Sequence, residues 1–217
     1  MGKRTVWAVL LVTAMIIAGC SSPEENIYSI LEETAVKEKD FENQQKPLAG
    51  LEEQEKKLFD QIMALGMKDF EKINTLTDEA LENLDKREEL IDKEQAAIEA
   101  SKKEFEKLDG SITKLKEEDL KKQAADLQDL MDKRFKSHDA LYSSYKKGLE
   151  EDRKLYKLLQ DKDLKLEQLE SQIASSNKAY ESIFKANKEF NELTALYNDA
   201  KTKFYQNSGI NIENQQK

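Results

Sequence analysis

The chain has 217 residues, a formal charge of −9, and 36% charged against 38% hydrophobic residues. That length fits one domain, and the acidic balance excludes nucleic-acid binding through bulk electrostatics. One cysteine and one histidine leave no internal disulfide and a poor donor set for zinc.

Lys3 and Arg4 precede an apolar run from Val6 to Ala18, which closes on Ile17-Ala18-Gly19-Cys20. The run is too short to span a bilayer as a helix, which takes about 20 apolar residues. An ordinary secretory signal shares the charged start and apolar core but does not require a cysteine after the glycine. The pattern resembles the lipobox of bacterial lipoproteins. The resemblance implies a diacylglyceryl group on the Cys20 thiol and cleavage between Gly19 and Cys20. Two acyl chains, palmitate or similar, hold a protein stably, at about 0.8 kcal/mol per buried methylene. Loss of residues 1–19 removes Lys3 and Arg4 and takes the formal charge from −9 to −11. The division expected is a signal peptide at 1–19, a lipidated stalk at 20–26, a helical bundle at 27–206 and a flexible tail at 207–217.

Beyond Cys20 no stretch alternates apolar and polar residues as a strand does, and good helix formers dominate. The first apolar row is Ile27, Leu31, Thr34, Glu38, Phe41, Gln45 and Leu48, which slips to Leu51, Glu55, Leu58, Ile62 and Leu65. The slip lies between Pro47 and Gly50, where a kink or break is expected. Gly66 is the expected terminator. A second row runs from Phe70 through Ile73, Thr77, Ala80, Leu84, Arg87, Ile91 and Glu94 to Leu108, and Asp109-Gly110-Ser111 reads as its stop. Asn74 to Asp78 is a place for a further break.

The third row, Leu120 to Leu159, passes through Arg134, His138, Tyr145, Gly148 and Asp152. Asp161-Lys162-Asp163 reads as a reversal, with Asp163 placed to cap the next helix. The fourth row is Leu166, Leu169, Ile173, Ser176, Tyr180, Ile183, Asn187, Phe190, Thr194, Tyr197, Lys201 and Phe204, flanked by Ala179, Ala186, Leu193 and Ala200. These 3,4-spaced rows are heptad seams of the coiled-coil type. Four segments follow, roughly 25–65, 68–108, 112–160 and 163–206, most about 60 Å long at 1.5 Å per residue. Short links make neighbours antiparallel. The fold expected is all-α, an elongated antiparallel up-and-down four-helix bundle with long helices.

The chemistry is sparse. His138 falls within a seam, which fits a core histidine bonded to a facing helix. No GxSxG elbow is present, and a single histidine cannot build the paired Glu-x-x-His motif of a di-metal bundle. The acidic pairs alternate with Lys and Arg, as solvated helix faces do. Arg87, Glu94, Arg134, Asp152, Asn187 and Lys201 occupy seam positions. Such residues set register, or they line a polar chamber between helices that admits a small ligand or cation. Asn187, Asn191 and Asn198 share one side of the fourth helix, with Tyr197 and Tyr205 close by. Amides and aromatic rings suit sugars, so this is a candidate binding face. Packing tyrosines and helix-bridging asparagines are the alternative.

The lipobox at Cys20, the Leu155-to-Leu169 stretch and the terminal pattern Asn187, Phe190-Asn191, Tyr197-Asn198 and Lys203-Phe204-Tyr205 together resemble the YkyA-like family of cell-wall-binding lipoproteins of Gram-positive bacteria. The resemblance spans nearly the whole chain. It implies a lipid-anchored, all-helical protein on the outer face of the cell membrane, with wall binding as the family label and no catalytic residues to carry over. The function expected is a non-enzymatic envelope scaffold or wall-binding protein without cofactor or metal. It would be held to the cytoplasmic membrane through Cys20 and touch wall glycan or another envelope protein. The alternative is a small-ligand or ion-binding lipoprotein serving a membrane transporter.

Overall fold

The computed structural model describes residues 22–210. Gly19, Cys20 and most of the terminal tail lie outside them. All described elements are helical.

α1 (Pro23–Lys37) starts on a capping box: Ser22 Oγ accepts from the Glu25 N–H at 3.1 Å, and Glu25 accepts from the Ser22 N–H at 2.9 Å. Pro23 fills the first helical position, where its missing N–H has no role. Glu38 separates α1 from α2 (Lys39–Leu65). The break thus falls earlier than the expected one at Pro47–Gly50, and α2 runs straight through Pro47. Pro47 is on the exposed face, where water can take the carbonyl it leaves unbonded. Gly66 ends α2 at φ 55°, a region that disfavours a side chain.

α3 (Phe70–Phe105) is capped by Asp69, which accepts from the Lys72 N–H at 3.2 Å, and is unbroken across Asn74–Asp78. The expected stop at Asp109-Gly110-Ser111 is instead a short helix, α4 (Asp109–Ile112), and the chain reverses over Thr113–Glu117. Leu108, Ile112 and Leu115 are buried there and plug the end of the bundle, which draws the chain past Gly110. α5 (Glu118–Leu159) and α6 (Leu166–Asn207) are each 42 residues long, or about 60 Å. Between them Asp161 Oδ1 accepts from the Asp163 N–H at 2.9 Å, so Asp161 shapes the turn and Lys165, not Asp163, precedes α6.

The four rods, counting α1 and α2 as one, form an elongated bundle with two apolar clusters. One joins α1 with the end of α3, α4, the start of α5 and the end of α6, through residues such as Leu31, Phe105, Leu127 and Phe204. The other joins α2, α3 and α5 through Ile62, Leu84, Leu149 and Tyr156. α5 and α6 are tightly packed at Gly148, where an added Cβ would lie 2.7 Å from Ile183 Cδ1.

Candidate functional site: a polar groove on the open side of the bundle

α6 packs on α5, α5 on α3, and α1 and α2 on α3. The first rod and α6 therefore face one another across a groove floored by α3 and α5. It holds two cavities, of about 440 Å³ and about 600 Å³, which share Glu52, Tyr145, Ile183 and Asn187. α6 meets α5 broadly and the first rod at points such as Phe190–Phe41 and Tyr205–Tyr28, and so buries a narrow stripe. On α6 that stripe is Ser176, Ala179, Ala186, Phe190, Tyr197 and Phe204, while Tyr180 and Asn187 of the expected seam are exposed.

The first cavity is organised around Arg134 on α5. Its two terminal nitrogens donate to the two Glu38 oxygens at 2.7 and 2.8 Å, and its Nε donates to Thr194 Oγ1 at 2.8 Å. Ser101 Oγ donates to the same carboxylate at 2.8 Å. The guanidinium lies 4.8 Å from the centre of the Phe190 ring. His138 is one helical turn away, 2% exposed, with Nδ1 3.1 Å from Gln95 Oε1 and its ring 5.2 Å from that of Phe190. Burial pushes the imidazole down to about 4, helped by the Arg134 charge, so it is neutral near pH 7. Glu94 on α3 is 4% exposed, and Gln45 donates to it at 2.6 Å. Burial raises this carboxyl to about 7, against the Gln45 hydrogen bond that favours the anion.

The second cavity is organised around Arg87 on α3, 1% exposed. It pairs with Glu55, and its Nε and Nη2 donate to the Tyr145 hydroxyl at 2.9 and 2.7 Å. Tyr145 donates to Glu52 at 2.7 Å, Tyr156 donates to Glu55 at 2.9 Å, and Tyr180 donates to Asp152 at 2.6 Å. Burial holds these phenols above their ordinary range, so they remain neutral donors. Burial also raises Asp152, against the Tyr180 bond and the Arg87 charge.

Three comparisons bear on what this chain is. A family model described as "Putative cell-wall binding lipoprotein", YkyA, matches residues 22–207. A relative, "Uncharacterized lipoprotein YkyA" of Bacillus subtilis (strain 168), is 40% identical over 202 residues, covering 92% of this chain and 91% of its own. The chain belongs to the YkyA family. A 1.6 Å crystal structure of a conserved protein of unknown function from Staphylococcus aureus superposes with a TM-score of 0.75 at 19% identity, covering 83% of this chain and 91% of the other. That likeness carries the fold alone, and it places the YkyA-family body among long helical bundles.

Within this YkyA-family fold the expected binding-face residues divide. Asn187, Asn191, Tyr197 and Asn198 line the first cavity from the α6 side, and Asn191 Nδ2 donates to Asn187 Oδ1 at 2.8 Å. Tyr205 does not join them. Its ring packs 5.0 Å from Tyr28 and its hydroxyl donates to Glu32 at 2.9 Å, at the end of the bundle. The six seam residues weighed for a polar chamber also divide: Glu94, Arg134 and Lys201 border the first cavity, Arg87 and Asp152 the second, and Asn187 both. The cross-helix partners Glu38–Arg134 and Glu55–Arg87 escaped the sequence reading. Their signal was present, since all four fall on seam positions with opposite charges. Among the described residues no group of three His, Cys, Asp or Glu side chains could hold a metal ion, and no helix is long and apolar enough to cross a membrane.

Proposed function

We propose that the chain is an envelope lipoprotein, cut between Gly19 and Cys20, lipidated on Cys20 and held on the outer face of the cytoplasmic membrane. In this reading the groove takes an extended wall component, with glycan as the first candidate. The open groove itself carries the proposal. Its α6 wall carries Asn187, Asn191 and Asn198 together with Tyr197 and Phe190. Amide groups can bond sugar hydroxyls in both directions, and rings supply flat apolar surface. A channel open along its side admits a polymer threaded lengthwise.

Family membership supports the wall as the partner. A cosedimentation assay with purified cell walls tests the reading. Full-length protein in detergent is expected to pellet with the walls, and Asn187→Ala/Asn191→Ala/Asn198→Ala is expected to lose most of that retention. Equal pelleting by the triple variant removes the groove from the function, and no pelleting by the parent removes wall binding.

The cavity volumes also fall in the range of small-ligand pockets. That favours, as a second reading, a carrier that hands a small ligand to a transporter. A thermal-shift screen against metabolites and metal ions tests it, and no shift with any compound discards it.

A further inference from the structure

We propose that the groove binds an extended ligand through primary ammonium groups, one seated at Glu94 in the first cavity and another at Asp152 in the second. This rests on the reading of the groove as the site for a wall component, and adds the charge of what it takes.

Most charges in the groove are matched within the chain. Glu38 is paired with Arg134, and Glu55 with Arg87. Lys56 and Lys201, at the rims, are engaged by Asp60 and Glu32 at 2.8 and 2.9 Å. Glu94 and Asp152 are the buried exceptions. They are 4% and 3% exposed and line the two cavities, and their hydrogen-bond donors are neutral, Gln45 and Tyr180. Neither forms an ion pair among the described residues. A buried carboxylate without an ion-pair partner is costly, and burial raises both groups, at Asp152 against the charge of Arg87. A cation in the cavity would offset that cost.

A second observation comes from Ser176. Its Oγ is buried in the second cavity beside Asp152, whose anionic form it favours, and has no other hydrogen-bond partner among the described residues. An ammonium at this place would donate to both Asp152 and Ser176, since it carries several donors and no acceptor. Phe190 lines the first cavity with Glu94, and the Tyr180 ring lies beside Asp152 in the second. Aromatic rings next to a carboxylate suit an organic cation. One carboxylate with a neutral amide or phenol is too few ligands for a divalent metal. The two seats are about 20 Å apart along the bundle, because Arg87 and Tyr145 meet midway and each seat lies two turns beyond, in opposite directions. A linear molecule with spaced amines spans that distance.

Matched sugar oligomers separate this inference from the glycan reading. Calorimetric titration of the full-length protein in uncharged detergent would compare the tetramer of glucosamine, which carries free amines, with the tetramer of N-acetylglucosamine, which does not. The glucosamine tetramer is expected to bind at least tenfold more tightly. Glu94→Gln and Asp152→Asn are each expected to weaken it about tenfold and to leave the acetylated tetramer unaffected, with helical circular dichroism unchanged. Equal affinity for the two oligomers in the parent protein overturns the inference and leaves the glycan reading standing. So does binding of the acetylated tetramer alone. Amine binding untouched by both substitutions also overturns it, because the attraction would then be that of an acidic protein at large. Binding of neither tetramer sinks both.

Discussion

Glu38 and Arg134 join in a two-pronged ion pair at the one residue where the first rod breaks. The interruption between α1 and α2 turns a carboxylate inward, where α5 supplies a guanidinium and α3 supplies the Ser101 hydroxyl. Both side chains are largely sheltered, so the pair is screened little by salt. Removing one partner strands a charge. Arg134→Gln is expected to destabilise the protein by roughly 3 kcal/mol. Glu38→Gln/Arg134→Gln is expected to recover a good part of that loss. Urea unfolding of the four proteins in the cycle gives the coupling energy, and additive losses would show that the pair contributes nothing of its own.

Glu94 and His138 give the first cavity opposed pH responses. With Glu94 at about 7 in the fold and near 4.5 unfolded, the folded state holds an extra proton between those values. Its contribution is present below about 4.5 and is lost as pH rises through 7. With His138 at about 4 in the fold and near 6.5 unfolded, the unfolded state holds the extra proton. Stability from the histidine is lost as pH falls from 6.5 through 4. The two slopes largely cancel between pH 5 and 6.5 in the parent protein. Glu94→Gln is expected to unmask a rise in stability over that interval and to gain on the order of 2 kcal/mol on the parent by pH 8. His138→Gln is expected to unmask a fall. Denaturant midpoints across pH check both, and parallel curves for all three proteins would refute the assignments.

Two phenol-to-carboxylate bonds differ in their shelter. Tyr156 donates to Glu55 inside the bundle, whereas Tyr205 donates to Glu32, whose side chain is half exposed. Tyr156→Phe is expected to cost about 2 kcal/mol, the range for a buried bond to a charged group. Tyr205→Phe is expected to cost less than about 1 kcal/mol, because water can replace the hydroxyl at Glu32. Thermal unfolding of the two variants gives the comparison.

Gly148 sits opposite Ile183, whose Cδ1 occupies the space a Cβ would need. Gly148→Ala gains about 1 kcal/mol of helix propensity and spends about as much displacing the isoleucine tip from its rotamer. The net change is expected to lie within about 1 kcal/mol of zero. Adding Ile183→Val removes the obstructing methyl, so the double variant is expected to be more stable than the sum of the single changes. Chemical denaturation measures the non-additivity.

Periodicity made the rods legible, because a 3,4-spaced apolar row means a helix with one covered face. Gly66 and the Asp161–Asp163 reversal were legible for the same reason, since backbone chemistry is local. Pro47 misled because its cost depends on which face it occupies, and here it looks outward. Gly110 misled because the apolar plug of Leu108, Ile112 and Leu115 outweighs a local stop signal. Many residues that line the groove were legible, but its open side was not. A seam records that a face is apolar and not how many neighbours cover it. Tyr205 reads as a partner of Tyr197 until the end of α1 is seen to claim it through Tyr28 and Glu32.

The capping box at Ser22 fixes the first helical turn just after Cys20. With acyl chains on that cysteine, the bundle would be mounted almost directly on the bilayer, like a mast stepped on a deck. The Gly66 and Asp161 bends would then sit some 60 Å out, at about 1.5 Å per residue of α2, α5 and α6. The channel would run upright between membrane and wall, opening sideways onto whatever is strung across that gap.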